Sequence, residues 1–404
     1  MAILAPSPTS LVFKVRRCEP QLIAPAKPTP HEFKPLSDVD DVERCQIPVI
    51  QFYRFDHSMQ GKDPVIVIRE ALAQTLVFYY PFAGRLREGP DSKFIVECTG
   101  EGAIFIEADA DVTLDHFGDA PHPPFSFMDE LLFDVPGSGG MLNCPLLLIQ
   151  VTRLKCSSFI FALRFNHVMT DGIGIVQFMN AMGEMAQGAT APSILPVWQR
   201  DLLNARDPPR VTCTHYEFDE VADTNGGLSK ASNGMACCSF FFGSTQISTI
   251  RKFIPHYLQK YRFCPPLPAG YYGNAIVASA ILTAAVKLCQ NPIEYALELV
   301  KTAKANASHG EVLHCFRLDK CEIQRCELWL GKSCLWGIAK VFPEPNKEPI
   351  NFYIPLKNSK GDNGILVPVY LQSLAMERFL KELHCMLKDQ SDSNLMSKLI
   401  ISSL

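Results

Sequence analysis

Residues 146–172 constrain this chain more than any other stretch. Residues 146–154 are rich in aliphatic side chains, Lys155-Cys156-Ser157-Ser158 turns the chain, and residues 159–165 return almost wholly apolar. A strand that is apolar at successive positions is apolar on both faces, so it belongs inside a sheet covered on both sides. The next residues are Asn166-His167-Val168-Met169-Thr170-Asp171-Gly172. They place a histidine in the turn that ends a buried strand. Asp171-Gly172 and Gly174 then open a helix, with Ile175, Met179, Met182 and Ala186 on its inner face.

The rest of the chain reads as alternating strands and helices. Residues 65–78 carry Val65, Ile68, Leu72 and Leu76 at helical spacing, and Pro81 stops them. Residues 11–16 read as a strand, followed by a loop punctuated by Pro25, Pro28, Pro30 and Pro35 and a polar turn at Ser37-Asp38 and Asp40-Asp41. The acidic run 107–111 reads as a solvated turn, and Gly137 to Gly140 as a flexible loop without the lysine of a phosphate cradle. Residues 188–209 lack periodicity and look like a crossover between halves. The second half restarts with a strand at 239–242, whose Phe240-Phe241-Phe242 reads as core, and a helix over 246–254 capped by Gly243-Ser244. A strand at 352–355, a turn at 360–364, a strand at 365–371 and an amphipathic helix over 376–387 close the pattern. At 404 residues, about 150 per domain gives two to three domains.

Charge and composition exclude several classes. A net charge of −4 offers no basic excess for nucleic acid. The most apolar stretch, 275–286, is a dozen residues where a membrane span needs about 20, so it reads as a buried helix or strand. No basic segment followed by an apolar run opens the chain, and the final Ser402-Ser403-Leu404 lacks the basic middle residue of a peroxisomal tail. Fifteen cysteines, an odd number with no C-x-x-C pair, read as reduced thiols of a cytoplasmic protein.

His167 is the candidate for chemistry. An imidazole can accept a proton from a hydroxyl near neutral pH, and a strand end fixes it while a loop leaves room for a ligand. Asp171 either fixes the loop or pairs with a cation elsewhere. The bland alternative is a loop histidine bonded to backbone. A second His-x-x-x-Asp, His215 to Asp219, follows no buried strand and reads as solvated surface.

Here the chain resembles the plant BAHD acyltransferases, which move acyl groups from coenzyme A thioesters to alcohols or amines. His167-x-x-x-Asp171-Gly172 resembles their active-site signature. Pro28-Thr29-Pro30 with Leu36-Ser37 resembles their N-terminal start, Tyr80 to Arg85 their Y-P-x-A-G-R box, and Pro266 to Asn274 their L-P-x-G-Y-x-G-N box. Phe352-Tyr353-Ile354 and Gly364 to Pro368 fit their late strands. The N-terminal half is most similar to the branch of benzyl alcohol O-benzoyltransferases and fruit-ester alcohol acyltransferases. The resemblance implies an α/β protein of two chloramphenicol-acetyltransferase-like domains, with mixed sheets, flanking helices and a channel between them. The domains would be 1–187, with a crossover at 188–215, and 216–404, part of 338–358 packing with the first. It further implies His167 as general base, direct attack on the thioester without an acyl-enzyme or metal, and donors holding the oxyanion. Asp171 and Gly172 would be structural, with Asp171 turned from the acceptor and held by an arginine. The partners would be acyl-CoA as co-substrate and a small alcohol, with no resident cofactor, nucleic acid or membrane, and the chain a monomer.

Two departures stand out. The chain is a few dozen residues short near 255–265, where the family carries the N-x-R segment that supplies the arginine for Asp171. Tyr261-Arg262-Phe263 resembles its tail. The family's D-F-G-W-G motif survives as Ser333-Cys334-Leu335-Trp336-Gly337, which keeps Trp336 and Gly337 but has Ser333 for Asp. The surrounding 306–345 resembles nothing in the family and reads as a mis-spliced or frame-shifted segment. Its Cys315, Cys321, Cys326 and Cys334 beside His314 are too irregularly spaced for a zinc site. An active alcohol acyltransferase is therefore expected, with an impaired copy that at most binds acyl-CoA as the alternative. A hydrolase is disfavoured because Ser157 and Ser158 lie remote from His167 and no G-x-S-x-G occurs.

Overall fold

The computed structural model describes residues 2–3, 11–42, 44–57, 60–118, 125, 127–204, 235–253, 266–275, 283–291, 293–308, 333–338, 354–357 and 362–388. The architecture is α/β. A mixed sheet runs in the order β12 (Ser333–Ile338), β5 (Gln46–Tyr53), β10 (Phe159–Asn166), β9 (Leu147–Arg153), β8 (Ala103–Ala110) and β2 (Val15–Arg17), and β3 (Gln21–Ile23) also pairs with β8. Only β8 and β9 run parallel. A parallel pair cannot be closed by a tight turn, and the long 111–146 connection joins them.

β10 lies at the centre because it has no polar face to expose. It pairs with β5 from Phe159 opposite Tyr53 to Asn166 opposite Gln46, and with β9 from Phe159 opposite Arg153 to Phe165 opposite Leu147. The pleat sends alternate side chains to opposite faces. Phe159, Phe161, Leu163 and Phe165 enter a core with helices α2 (Pro64–Phe78) and α4 (Gly172–Ala186), which contribute Ile68, Leu72, Phe178 and Met182. Ile160 and Ala162 enter a second core with Ile50, Phe52, Phe117 and Leu131, the last on α3 (Met128–Leu131).

The second core also receives Phe241 and Leu366. These come from a second sheet, ordered β1 (Ala2–Ile3), β11 (Met235–Gly243), β14 (Asn363–Gln372) and β13 (Ile354–Lys357). The other face of that sheet buries Phe240 with Met376 and Leu383 of α8 (Ser373–Lys388). Helices α5 (Ser244–Phe253), α6 (Ala285–Gln290) and α7 (Ile293–Ser308) complete the described C-terminal part. A small sheet of β4 (Phe33–Pro35), β7 (Phe94–Glu97) and β6 (Arg85–Glu88) flanks the N-terminal part, next to the short helix α1 (Asp38–Val42).

Several sequence expectations hold. The central hairpin, both main helices and the Phe240 core are where the pattern puts them. Others are corrected. The expected turn at 107–111 is mostly strand β8, and Glu107 is half-buried against Arg69 and Arg153. Glu107 and Asp109 alternate with the buried Ala108 and Ala110, which suits a strand flanked by arginines. The polar turn near Asp40 is helix α1, opened by Ser37, whose Oγ accepts a hydrogen bond from Asp40 N (3.0 Å). The strand expected over 11–16 is β2, Val15–Arg17, since Lys14 N is drawn off to the Asp111 side chain (2.8 Å). Late in the chain Ser333–Ile338 pairs with β5, and of the expected 338–358 only residues 338 and 354–357 are described. Most of 275–286 and of 306–345 lies outside the described residues.

Phe161→Ala removes a fully buried ring from the middle of β10. It should cost about 3–5 kcal/mol in urea unfolding; a loss near zero would contradict the placement of this strand between two cores.

Candidate active site

β10 ends at Asn166, whose side-chain oxygen accepts from Val168 N (3.3 Å) and caps a short turn over His167–Met169. His167 N donates to Cys45 O (2.8 Å), which extends the pairing with β5 by one residue. The His167 side chain is half-buried, 6.0 Å from the Phe165 ring, and its Nδ1 is buried without a hydrogen-bond partner among the described residues.

Asp171 lies on the inner side of the turn and is 1% exposed. Its Oδ1 accepts from Ile173 N and Gly174 N (both 2.9 Å), capping α4, and its Oδ2 accepts from Ala275 N (3.1 Å). Burial pushes this carboxyl above the ordinary range, against the backbone donors that favour its charge. These contacts tie the turn to the start of α4 and to residue 275. Arg262, in the segment expected to supply a cationic partner, lies outside the described residues, as do His215 and Asp219 and the residues His314, Cys315, Cys321 and Cys326. Gly172 opens α4 at an exposed position where a Cβ would meet nothing within 4 Å. Gly174 is the glycine with a steric reason, since a Cβ there would lie 2.1 Å from Tyr272 O.

Sequence reasoning missed what holds the turn from the other side. Residues 266–275, from the second half, dock directly on it. Thr170 Oγ1 donates to Tyr272 O (2.7 Å), and Asn274 Nδ2 donates to His167 O (2.7 Å). Beneath them, Arg200 Nη1 donates to Asp40 Oδ1 (2.8 Å) and Arg200 Nη2 to Met169 O (2.7 Å). Asp40 Oδ1 also accepts from Asn274 N (2.9 Å) and Asn274 Nδ2 (3.0 Å), while its Oδ2 accepts from Ser37 N and Oγ. The Arg200 guanidinium lies 4.4 Å from the Trp198 ring centre and 5.1 Å from that of Tyr272. Burial is the largest single influence and works against its charge, but Asp40, Tyr271 and Tyr272 together outweigh it and hold its pKa above the ordinary value. Gly273 is required here, because a Cβ would sit 1.6 Å from Arg200 Nη1. Ser37-x-x-Asp40 carries the spacing of a helix cap, which was a usable signal for Asp40. Nothing around Arg200 distinguishes it in an aperiodic segment.

Trp336 and Gly337 lie on β12, opposite Gln51 and Ile50 of β5. They shape the sheet edge, on the other side of β5 from β10. Ser157 and Ser158 sit at the opposite end of β10 from His167, about 30 Å away at 3.3 Å per residue. The structure thus separates them from the imidazole, as the sequence implied.

The sequence profile of the Transferase family matches residues 13–240. Benzyl alcohol O-benzoyltransferases of Petunia hybrida and of Nicotiana tabacum are each 51% identical to this chain, over 94% of it and 95% of their own length. Those alignments run to 438 columns against a chain of 404 residues, so both relatives carry residues this chain lacks. The crystal structure of vinorine synthase shares the fold, with a TM-score of 0.62 at 18% identity over 90% of this chain and 96% of that one.

Arg200→Leu would leave Asp40 charged and buried with no cation. The loss should be about 3–5 kcal/mol in urea unfolding, and adding Asp40→Asn should recover part of it. A fully additive double variant would contradict the pairing.

Proposed function

This chain belongs to the Transferase family of BAHD acyltransferases, and from that membership we propose that it transfers an acyl group from a coenzyme A thioester to the hydroxyl of a small alcohol, with His167 as general base. The observation that carries the role of His167 is its setting. Its backbone continues a strand paired on both sides, its Nδ1 is buried, and the ring remains half-open. That leaves Nε2 to take the hydroxyl proton as the alcohol oxygen attacks the thioester carbonyl. The carbonyl oxygen takes the charge in the tetrahedral intermediate, the carbon–sulfur bond breaks, and the thiolate recovers the proton from the imidazolium. The products are an ester and free coenzyme A, and no bond to the protein forms. Asp171 and Gly172 act in the turn and not on the substrate.

The names of the relatives support benzyl alcohol and an aromatic acyl group as first substrates to try. The chain works as a cytoplasmic monomer without a resident cofactor, its two domains spanning 1–187 and 216–404 around a crossover at 188–215. No helix among the described residues is long and apolar enough to cross a membrane. A second reading rests on the residues this chain lacks relative to its relatives: an impaired copy that binds acyl-CoA without turning it over.

Benzoyl-CoA should release free thiol only when benzyl alcohol is present, and His167→Ala should lower kcat by about 10²- to 10⁴-fold. An unchanged rate in His167→Ala rules out its role. Saturable coenzyme A binding with no thiol release selects the second reading.

A further inference from the structure

We infer that Asn274 is a positioning residue for His167 and aims its imidazole through the peptide carbonyl of His167 itself. This deepens the proposed function and rests on His167 being the base. A catalytic histidine is commonly oriented by a third group bonded to its second ring nitrogen. Here Nδ1 is buried with no hydrogen-bond partner among the described residues, so nothing among them holds the ring by that atom. What is held is the backbone. His167 N is fixed by Cys45 O at 2.8 Å, and His167 O accepts from Asn274 Nδ2 at 2.7 Å as well as from Thr170 N at 3.2 Å within the turn. Fixing both peptide groups around one residue fixes its Cα–Cβ direction, and packing against Phe165 limits the ring.

The orientation of the Asn274 amide follows from its surroundings. Its nitrogen lies between two acceptors, His167 O and Asp40 Oδ1 at 3.0 Å, and an amide oxygen there would face both. Asn274 is itself locked, since its own N donates to the same Asp40 oxygen and it is 2% exposed. Asp40 is held by Arg200, whose other nitrogen grips Met169 O, two residues past the base. A single amide from the second half therefore ties the reacting imidazole to a rigid buried ion pair. Thr170 and Asp171 are also tied to residues 272–275, but neither tie touches the histidine.

The test uses the full chain with benzoyl-CoA and benzyl alcohol, Asn274→Ala and the near-isosteric Asn274→Asp, and circular dichroism to confirm folding. Misplacing a base by part of an ångström should lower kcat by about 10- to 100-fold while KM for either substrate stays within about twofold. A folded variant with unchanged kcat, or one in which only KM rises, overturns the inference, as does loss of folding in both variants. A second readout does not depend on turnover. Carbethoxylation of His167 by diethyl pyrocarbonate, followed by mass spectrometry, should be faster in Asn274→Ala than in the unaltered chain, because the released ring exposes Nδ1. If His167→Ala leaves activity intact, the proposed function fails, and this reactivity still decides whether Asn274 holds the ring. Equal labelling rates would overturn the inference on their own.

Discussion

Asp40 and Arg200 lie 160 residues apart in sequence and meet at 2.8 Å with both side chains at most 1% exposed. Two charges this deep are stable only as a pair, because each one alone would face the full cost of lost hydration. Arg200 carries one bond to Asp40 and one to Met169 O, and Asp40 collects Ser37 and Asn274. Four separate parts of the chain therefore converge on one point: the helix start at 37–42, the turn at 167–171, the crossover and residues 266–275.

That convergence complements the sheet. β10 is fixed from below by two cores and two neighbouring strands, which set where it ends but not how the turn beyond it is shaped. The turn is polar, and its carbonyls and its aspartate need donors that a core cannot supply. Asn274, Arg200 and Ala275 N supply them. Hydrophobic burial sets the position of His167 along the sheet, and buried polar contacts set its orientation. In the proposed role His167 would need both, since the hydroxyl and the thioester carbonyl must meet the base in one geometry.

The legible parts of the sequence were those governed by periodicity. The apolar run 159–165 read as a doubly covered strand and the spacing of Ile68, Leu72 and Leu76 as a helix face, and both are found so. The family resemblance added the ordered motifs and with them the fold that vinorine synthase shares. The clamp was not legible, because it depends on long-range pairing of polar residues whose local context is bland. Asp40 read as part of a polar turn with Asp38 and Asp41, and Glu107 as part of a solvated one, for the same reason: an acidic residue in sequence does not show the arginine that will cover it. Asn274 stood inside a recognised motif, but the motif alone did not say which carbonyl it would reach.

The account depends on residues 266–275 and the His167 turn behaving as one unit, although they come from different halves of the chain. Native-state hydrogen exchange by mass spectrometry tests this directly. Peptides covering 166–175 and 268–275 should open with a single shared free energy and lose protection together as denaturant is raised. Exchange of 268–275 at the rate of an open loop, while 166–175 stays protected, would contradict it.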